Sequence, residues 1–125
     1  MAKLGELKEV YLSGSRKLDD ATMEVIADWE KLEALNIYGC PNITDDGIHI
    51  IRGLGKLRFL SIGIPQGRDP GPNQSKITNK SIEDLSNLKE LRVIDISRTM
   101  IDDAGQKMIE DALPHAREFQ EELKK

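Results

Sequence analysis

The sequence predicts an α/β fold, a short solenoid in which a right-handed βα superhelix makes about four repeats. A parallel sheet is expected on the concave face and helices on the convex face. Three observations carry this. Four segments align, opening at Leu7, Leu32, Leu57 and Leu91. Each begins with the alternation L-x-x-[LVI]-x-[LI], the mark of a strand with one buried face. Each then changes to apolar residues three apart, a helical spacing. One strand and one helix cannot bury their apolar faces alone, so successive units have to stack.

The first repeat, residues 7–31, places Leu7, Val10 and Leu12 on its strand, then Leu18, Met23, Ile26 and Trp29 toward its helix. The second, 32–56, repeats this with Leu32, Leu35 and Ile37, then Ile43, Ile48, Ile51 and Leu54. The third, 57–90, keeps Leu57, Leu60 and Ile62 but is longer: the first two openings are 25 residues apart (7 to 32, 32 to 57) and the last two 34 (57 to 91). The extra residues fall in "GIPQGRDPGPNQSK", residues 63–76, whose prolines and glycines exclude regular structure. The helix signal resumes with Ile77, Ile82, Leu85 and Leu88. The fourth repeat, 91–113, opens on Leu91, Ile94 and Ile96. Beyond it Pro114 suits a first helical turn, and Ala116, Phe119 and Leu123 share one helical face, which predicts a capping helix over 114–124. Strands about 4.8 Å apart make a four-stranded sheet about 15 Å across, a nearly flat arc.

Before each helix stands an aliphatic residue and a polar pair: "LDD", "ITD", "ITN", "IDD". Asp19/Asp20, Asp45/Asp46 and Asp102/Asp103 resemble catalytic or metal-binding pairs. Their recurrence at one position points instead to helix capping, where a side-chain oxygen accepts from free N–H groups and negative charge suits the helix dipole. The third copy, Thr78-Asn79, caps as well and carries no carboxylate.

With L-x-x-L-x-L-x-x-C-x-x-I-T-D-x-G in "LEALNIYGCPNITDDGI", the chain resembles the leucine-rich repeat, most closely its cysteine-containing subtype. That subtype is familiar from the substrate-binding halves of F-box/LRR proteins, from Amn1-like proteins and from bacterial LRR proteins. The likeness covers about Leu7 to Pro114. The cysteine column reads Ser15, Cys40, Ile64 and Thr99, so one repeat matches in full. The resemblance implies that this column points inward, which makes Cys40 a small buried hydrophobe. No F-box-like segment precedes Leu7, so a ubiquitin-ligase role is not carried over.

Composition narrows the function. The 125 residues make one domain, 1–125, with a net charge of −4 and scattered Lys and Arg, a poor nucleic-acid footprint. One cysteine forms no internal disulfide and fits a reducing, cytoplasmic setting, with organelles left open. No stretch is long and apolar enough for a membrane span. His49 and His115 have no ligand spacing with Cys40, and no nucleophile–base pair, phosphate loop or cofactor fingerprint appears. No catalytic residue, metal or cofactor is expected.

What remains is surface. The strand positions between the buried ones form three columns across the sheet: Glu9, Ala34, Phe59, Val93; Tyr11, Asn36, Ser61, Asp95; Ser13, Tyr38, Gly63, Ser97. Exposed aromatics among polar neighbours are the usual material of protein interfaces. The expected function is a non-catalytic, adaptor-like module binding a protein partner, not a nucleic acid or a membrane. Its contact residues are Tyr11, Asn36, Tyr38, Phe59, Ser61, Val93 and Asp95, with Arg68 and Asp69 of the insertion. The alternative is an accessory or assembly subunit that docks, or self-associates, through an uncapped N-terminal edge.

Overall fold

Val10, Leu35, Leu60 and Ile94 lie side by side in successive parallel strands, and this row begins the core. The computed structural model describes residues 6–64 and 75–118. Its strands are β1 (Glu9–Tyr11), β2 (Ala34–Asn36), β3 (Phe59–Ser61), β4 (Val93–Asp95) and β5 (Arg117–Glu118), and they form one parallel sheet in chain order. The helices are α1 (Asp20–Ile26), α2 (Asp45–Ile50), α3 (Ile82–Ser86) and α4 (Asp103–Ala112). A single tight turn, Asn79–Ser81, leads into α3. Each helix crosses from one strand to its parallel neighbour, so sheet and helices form two layers with the core between them.

The core is the predicted aliphatic set, except that Leu7, Leu12, Leu18 and Trp29 of the first repeat pack against it only half-buried. Leu32, Leu57 and Leu91 before the strands, Ile37, Ile62 and Ile96 after them, and Met23, Ile26, Ile48, Ile51, Leu54, Ile82, Leu85 and Leu88 on the helical side are all buried. Fully burying one such side chain stabilises by about 1.5–3 kcal/mol, which is the main force stacking one repeat on the next. The backbone ladder runs beyond the named strands. Leu12 N–H donates to Asn36 C=O and Ile37 N–H to Ser61 C=O; Gly14 to Tyr38 and Gly39 to Gly63 follow, at 2.7–2.9 Å.

The polar pairs divide two tasks. Their first members, Asp19, Thr44, Thr78 and Asp102, are N-caps, accepting from the backbone N–H of Ala21, Asp46, Lys80 and Gly105. The second members reach into the following repeat. Asp20 accepts from Thr44 N–H (2.9 Å) and its hydroxyl, Asp45 from Thr78 N–H (2.8 Å) and its hydroxyl, and Asn79 Oδ1 from Asp102 N–H (3.1 Å). A column of small residues, Gly47, Ser81 and Gly105, makes room. A Cβ at Gly105 would sit 2.6 Å from Asn79 Oδ1, and one at Gly47 would collide with Asp20 Oδ1. Capping alone is therefore half of the explanation.

The C-terminal end departs from expectation. The capping helix predicted over 114–124 does not begin at Pro114: Pro114 and His115 turn, and Arg117–Glu118 add β5 to the free edge of β4. Proline is common just past a helix end as well as at a helix start, and here it follows the C-cap of α4, Leu113. The unpaired edge of β4 then takes the returning chain as a strand. Phe119 and Leu123, the rest of that predicted helix face, lie outside the described residues. Five strands widen the sheet to about 19 Å.

Candidate partner-binding surface

Two of the outward columns form in the predicted strand register: Glu9, Ala34, Phe59 and Val93 are neighbours, as are Tyr11, Asn36, Ser61 and Asp95; the third, Ser13, Tyr38, Gly63 and Ser97, lies just past the strand ends. Their accessibility is uneven. Tyr11 is 59% exposed, while Asn36, Tyr38, Phe59 and Val93 are half-buried. Ser61 and Asp95 keep only 3% and 6% of their surface. The expectation that these two present contact groups is corrected.

The cause is a polar network along the ends of the two strands. Ser61 Oγ donates to Asp95 Oδ2 (3.1 Å), while Ser97 N–H and Oγ donate to Asp95 Oδ1 (3.0 and 2.6 Å). Asp95 thus closes the turn that ends β4, an Asx turn. Asn36 does the same two places away in the column, its Oδ1 accepting from Tyr38 N–H at 2.9 Å. Gly63 lies against the network, since a Cβ there would be 2.5 Å from Ser97 Oγ. The signal was present in the sequence as Asn36 and Asp95 at equivalent strand ends, each just before a turn. Turn chemistry accounts for both residues without any ligand.

The same turns need one left-handed residue each. Gly14 and Gly39 supply it at φ 79° and 76°, and Arg98 supplies it in the fourth repeat at φ 59°. Arg98 Nη1 also donates to Ile64 C=O at 3.5 Å.

Tyr11 hydroxyl donates to Glu9 Oε1 at 2.7 Å, and this bond, with the negative charge of Glu9, holds the phenol above its usual pKa. Cys40 is 4% exposed and its Sγ donates to Leu12 C=O of the preceding repeat at 3.2 Å. Burial pushes its thiol up, the opposite of what a reactive cysteine needs. His49 faces Asp84 across α2 and α3 at 3.1 Å. Among the described residues no group of three or more His, Cys, Asp or Glu is placed to hold a metal ion. No helix of the described residues is long and apolar enough to cross a membrane.

Arg68 and Asp69 lie outside the described residues. Both flanks of their segment are anchored: Ile64 and Ser75 are buried, and Lys76 forms a parallel bridge with Thr44.

A cavity of about 210 Å³ opens at the C-terminal end between β4 and α4, lined by Ile94, Ile96, Gln106, Ile109, Leu113 and Ala116 among others. Gln106 occupies the place that Met23, Ile48 and Ile82 fill in earlier repeats, so the aliphatic column stops where the stack does.

A family model described as Zer-1-like, leucine-rich repeats, matches residues 1–118. No curated protein matches the chain.

Proposed function

The chain belongs to the Zer-1-like leucine-rich-repeat family, and from that premise we propose that it is a non-catalytic module that binds a protein through its strand face. The observation that carries this reading is the set of Tyr11 and Phe59 on outward positions of β1 and β3 with Tyr38 in the turn that follows β2, exposed or half-buried, in a fold that needs no aromatics there. Val93 extends the apolar centre, and Asn36 presents what its turn leaves free. Large rigid side chains held by a backbone ladder lose little freedom on binding, which suits them as anchors. Arg68 and Asp69 of the insertion are proposed as further contacts.

The test is affinity capture from the native source with the double variant Tyr38→Ser, Phe59→Ser. Partners held by the unaltered chain and lost by this variant, with an unchanged thermal melt, support the reading. Retention of every partner overturns it.

The second reading, an accessory subunit docked by its solenoid end, is favoured by one observation. Among the described residues β1 has a strand neighbour on one side alone, whereas β5 covers the opposite edge of β4. Partners lost on changing Tyr11 and Glu9 to Pro and Lys, and kept by the Tyr38/Phe59 variant, would favour it.

A further inference from the structure

The residue that precedes each outward strand column forms a row of its own: Lys8, Glu33, Arg58, Arg92. It is held in register by the bonds of Glu33 N–H to Lys8 C=O, Arg58 N–H to Glu33 C=O and Arg92 N–H to Arg58 C=O, each 2.7 Å. Along the first three members the charge alternates. The last two are both arginines on neighbouring strands about 4.8 Å apart. Both are exposed. The one ion pair among the described residues is His49–Asp84, and neither guanidinium makes a hydrogen bond there. Like charges side by side on a sheet repel. In a chain of net charge −4 they form a local cationic patch that nothing in the described fold uses. Immediately after them in the chain stand Phe59 and Val93, register partners and half-buried.

Resting on the proposed strand-face function, we infer that the C-terminal half of this face receives an acidic peptide segment of the partner. Its carboxylates lie on Arg58 and Arg92, and an apolar side chain lies against Phe59 and Val93. Guanidinium groups pair with carboxylates in a bidentate geometry, and a carboxylate between two of them relieves their mutual repulsion. The neighbouring apolar pair supplies the buried centre that a purely ionic contact lacks. Glu33 stands between Lys8 and Arg58 in the row, so the positive charge in excess lies at the Arg58–Arg92 end, while the N-terminal half, with Lys8 beside Glu33 and Glu9 bonded to Tyr11, has no such preference.

The experiment selects a random peptide-display library on the full chain, then measures the best peptide on Arg58→Glu/Arg92→Glu and on Arg58→Gln/Arg92→Gln. The selected peptides are expected to be rich in Asp and Glu beside Leu, Phe or Trp. The best should bind the Glu variant about tenfold more weakly or worse, the Gln variant in between, and the unaltered chain less tightly as salt rises. Neither side chain has a hydrogen-bond or ion-pair partner among the described residues, so thermal melts should not move; should the Glu variant fail to fold, the Gln variant carries the comparison. Peptides without acidic enrichment that are nonetheless lost with Tyr38→Ser/Phe59→Ser overturn the acidic preference and leave the binding face standing. Equal affinity in all arginine variants also overturns it, as does an oligothymidylate that displaces the peptide and binds more tightly. Failure to select any peptide dependent on Tyr38, Phe59 or the arginines overturns both readings.

Discussion

Asp45, the first residue of α2, holds Thr78 of the next repeat by two bonds: its carboxylate accepts from the Thr78 N–H at 2.8 Å and from the Thr78 hydroxyl at 2.6 Å. Ser81 Oγ adds a third, at 2.6 Å. The neighbouring Asp46 is exposed and lies in the same first turn. Two adjacent aspartates of identical chemistry therefore have unequal duties. Asp45→Ala should destabilise by about 1.5–3 kcal/mol, the range for hydrogen bonds to a charged group, and Asp46→Ala by about 0.3–1 kcal/mol through the helix dipole. Urea unfolding of the two variants checks this, and equal costs would refute the cross-repeat role.

Gly47 faces the equivalent bond one repeat earlier, where Asp20 Oδ1 accepts from Thr44 N–H. Alanine is the better helix former by about 1 kcal/mol. Here the added methyl displaces Asp20 and presses on Ile43, so Gly47→Ala should instead destabilise, by about 1–3 kcal/mol. In the Asp20→Ala background the same change should cost less, and a double-mutant cycle measures the difference.

Arg98 holds the left-handed turn position that Gly14 and Gly39 hold in the first two repeats. A side chain in that conformation costs about 1–2 kcal/mol, while its long bond to Ile64 C=O returns little at an exposed site. Arg98→Gly should raise stability by about 0.5–1 kcal/mol after the entropy of glycine in the unfolded chain is counted, and Gly39→Ala should lower it. Thermal melts of the pair decide the matter.

Burial raises the Cys40 thiol above its ordinary value. A group whose folded pKa is raised contributes stability that is fully present below its unfolded pKa, about 8.5, and is lost as pH rises through the folded value. The unaltered protein should therefore lose stability above about pH 8.5. Cys40→Ala should flatten part of that decline, leaving the share due to Tyr11. A maleimide reagent should label native Cys40 slowly and the unfolded chain fast. Rapid labelling of the folded protein would contradict its burial.

The layout of the strands, the identity of the core and the helix caps were legible in the chain because a solenoid is nearly one-dimensional. Each repeat meets its neighbours, so aligning the repeats also aligns their contacts. Leu35 beneath Leu60 and Ile94 followed from register alone. Alternation also separated Tyr11, Tyr38 and Phe59 from the buried side. It did not say which outward residues keep their surface. Ser61 and Asp95 share a column with Tyr11, yet they bond to each other and close a turn, a consequence of side-chain reach across two strands.

By itself the sequence determined the repeat, its hydrophobic columns and the capping positions, since these depend on local periodicity and on contacts one repeat away. The tertiary structure alone decided three further things. It set Asp20, Asp45 and Asn79 to work across repeats, because only stacking brings each within hydrogen-bond distance of the next cap. It turned Pro114 from a helix start into a helix stop, because β4 offered an unpaired edge whose backbone groups the returning chain could satisfy. And it set Arg58 and Arg92 side by side, because the parallel register makes neighbours of two side chains that 34 residues of sequence separate (58 to 92).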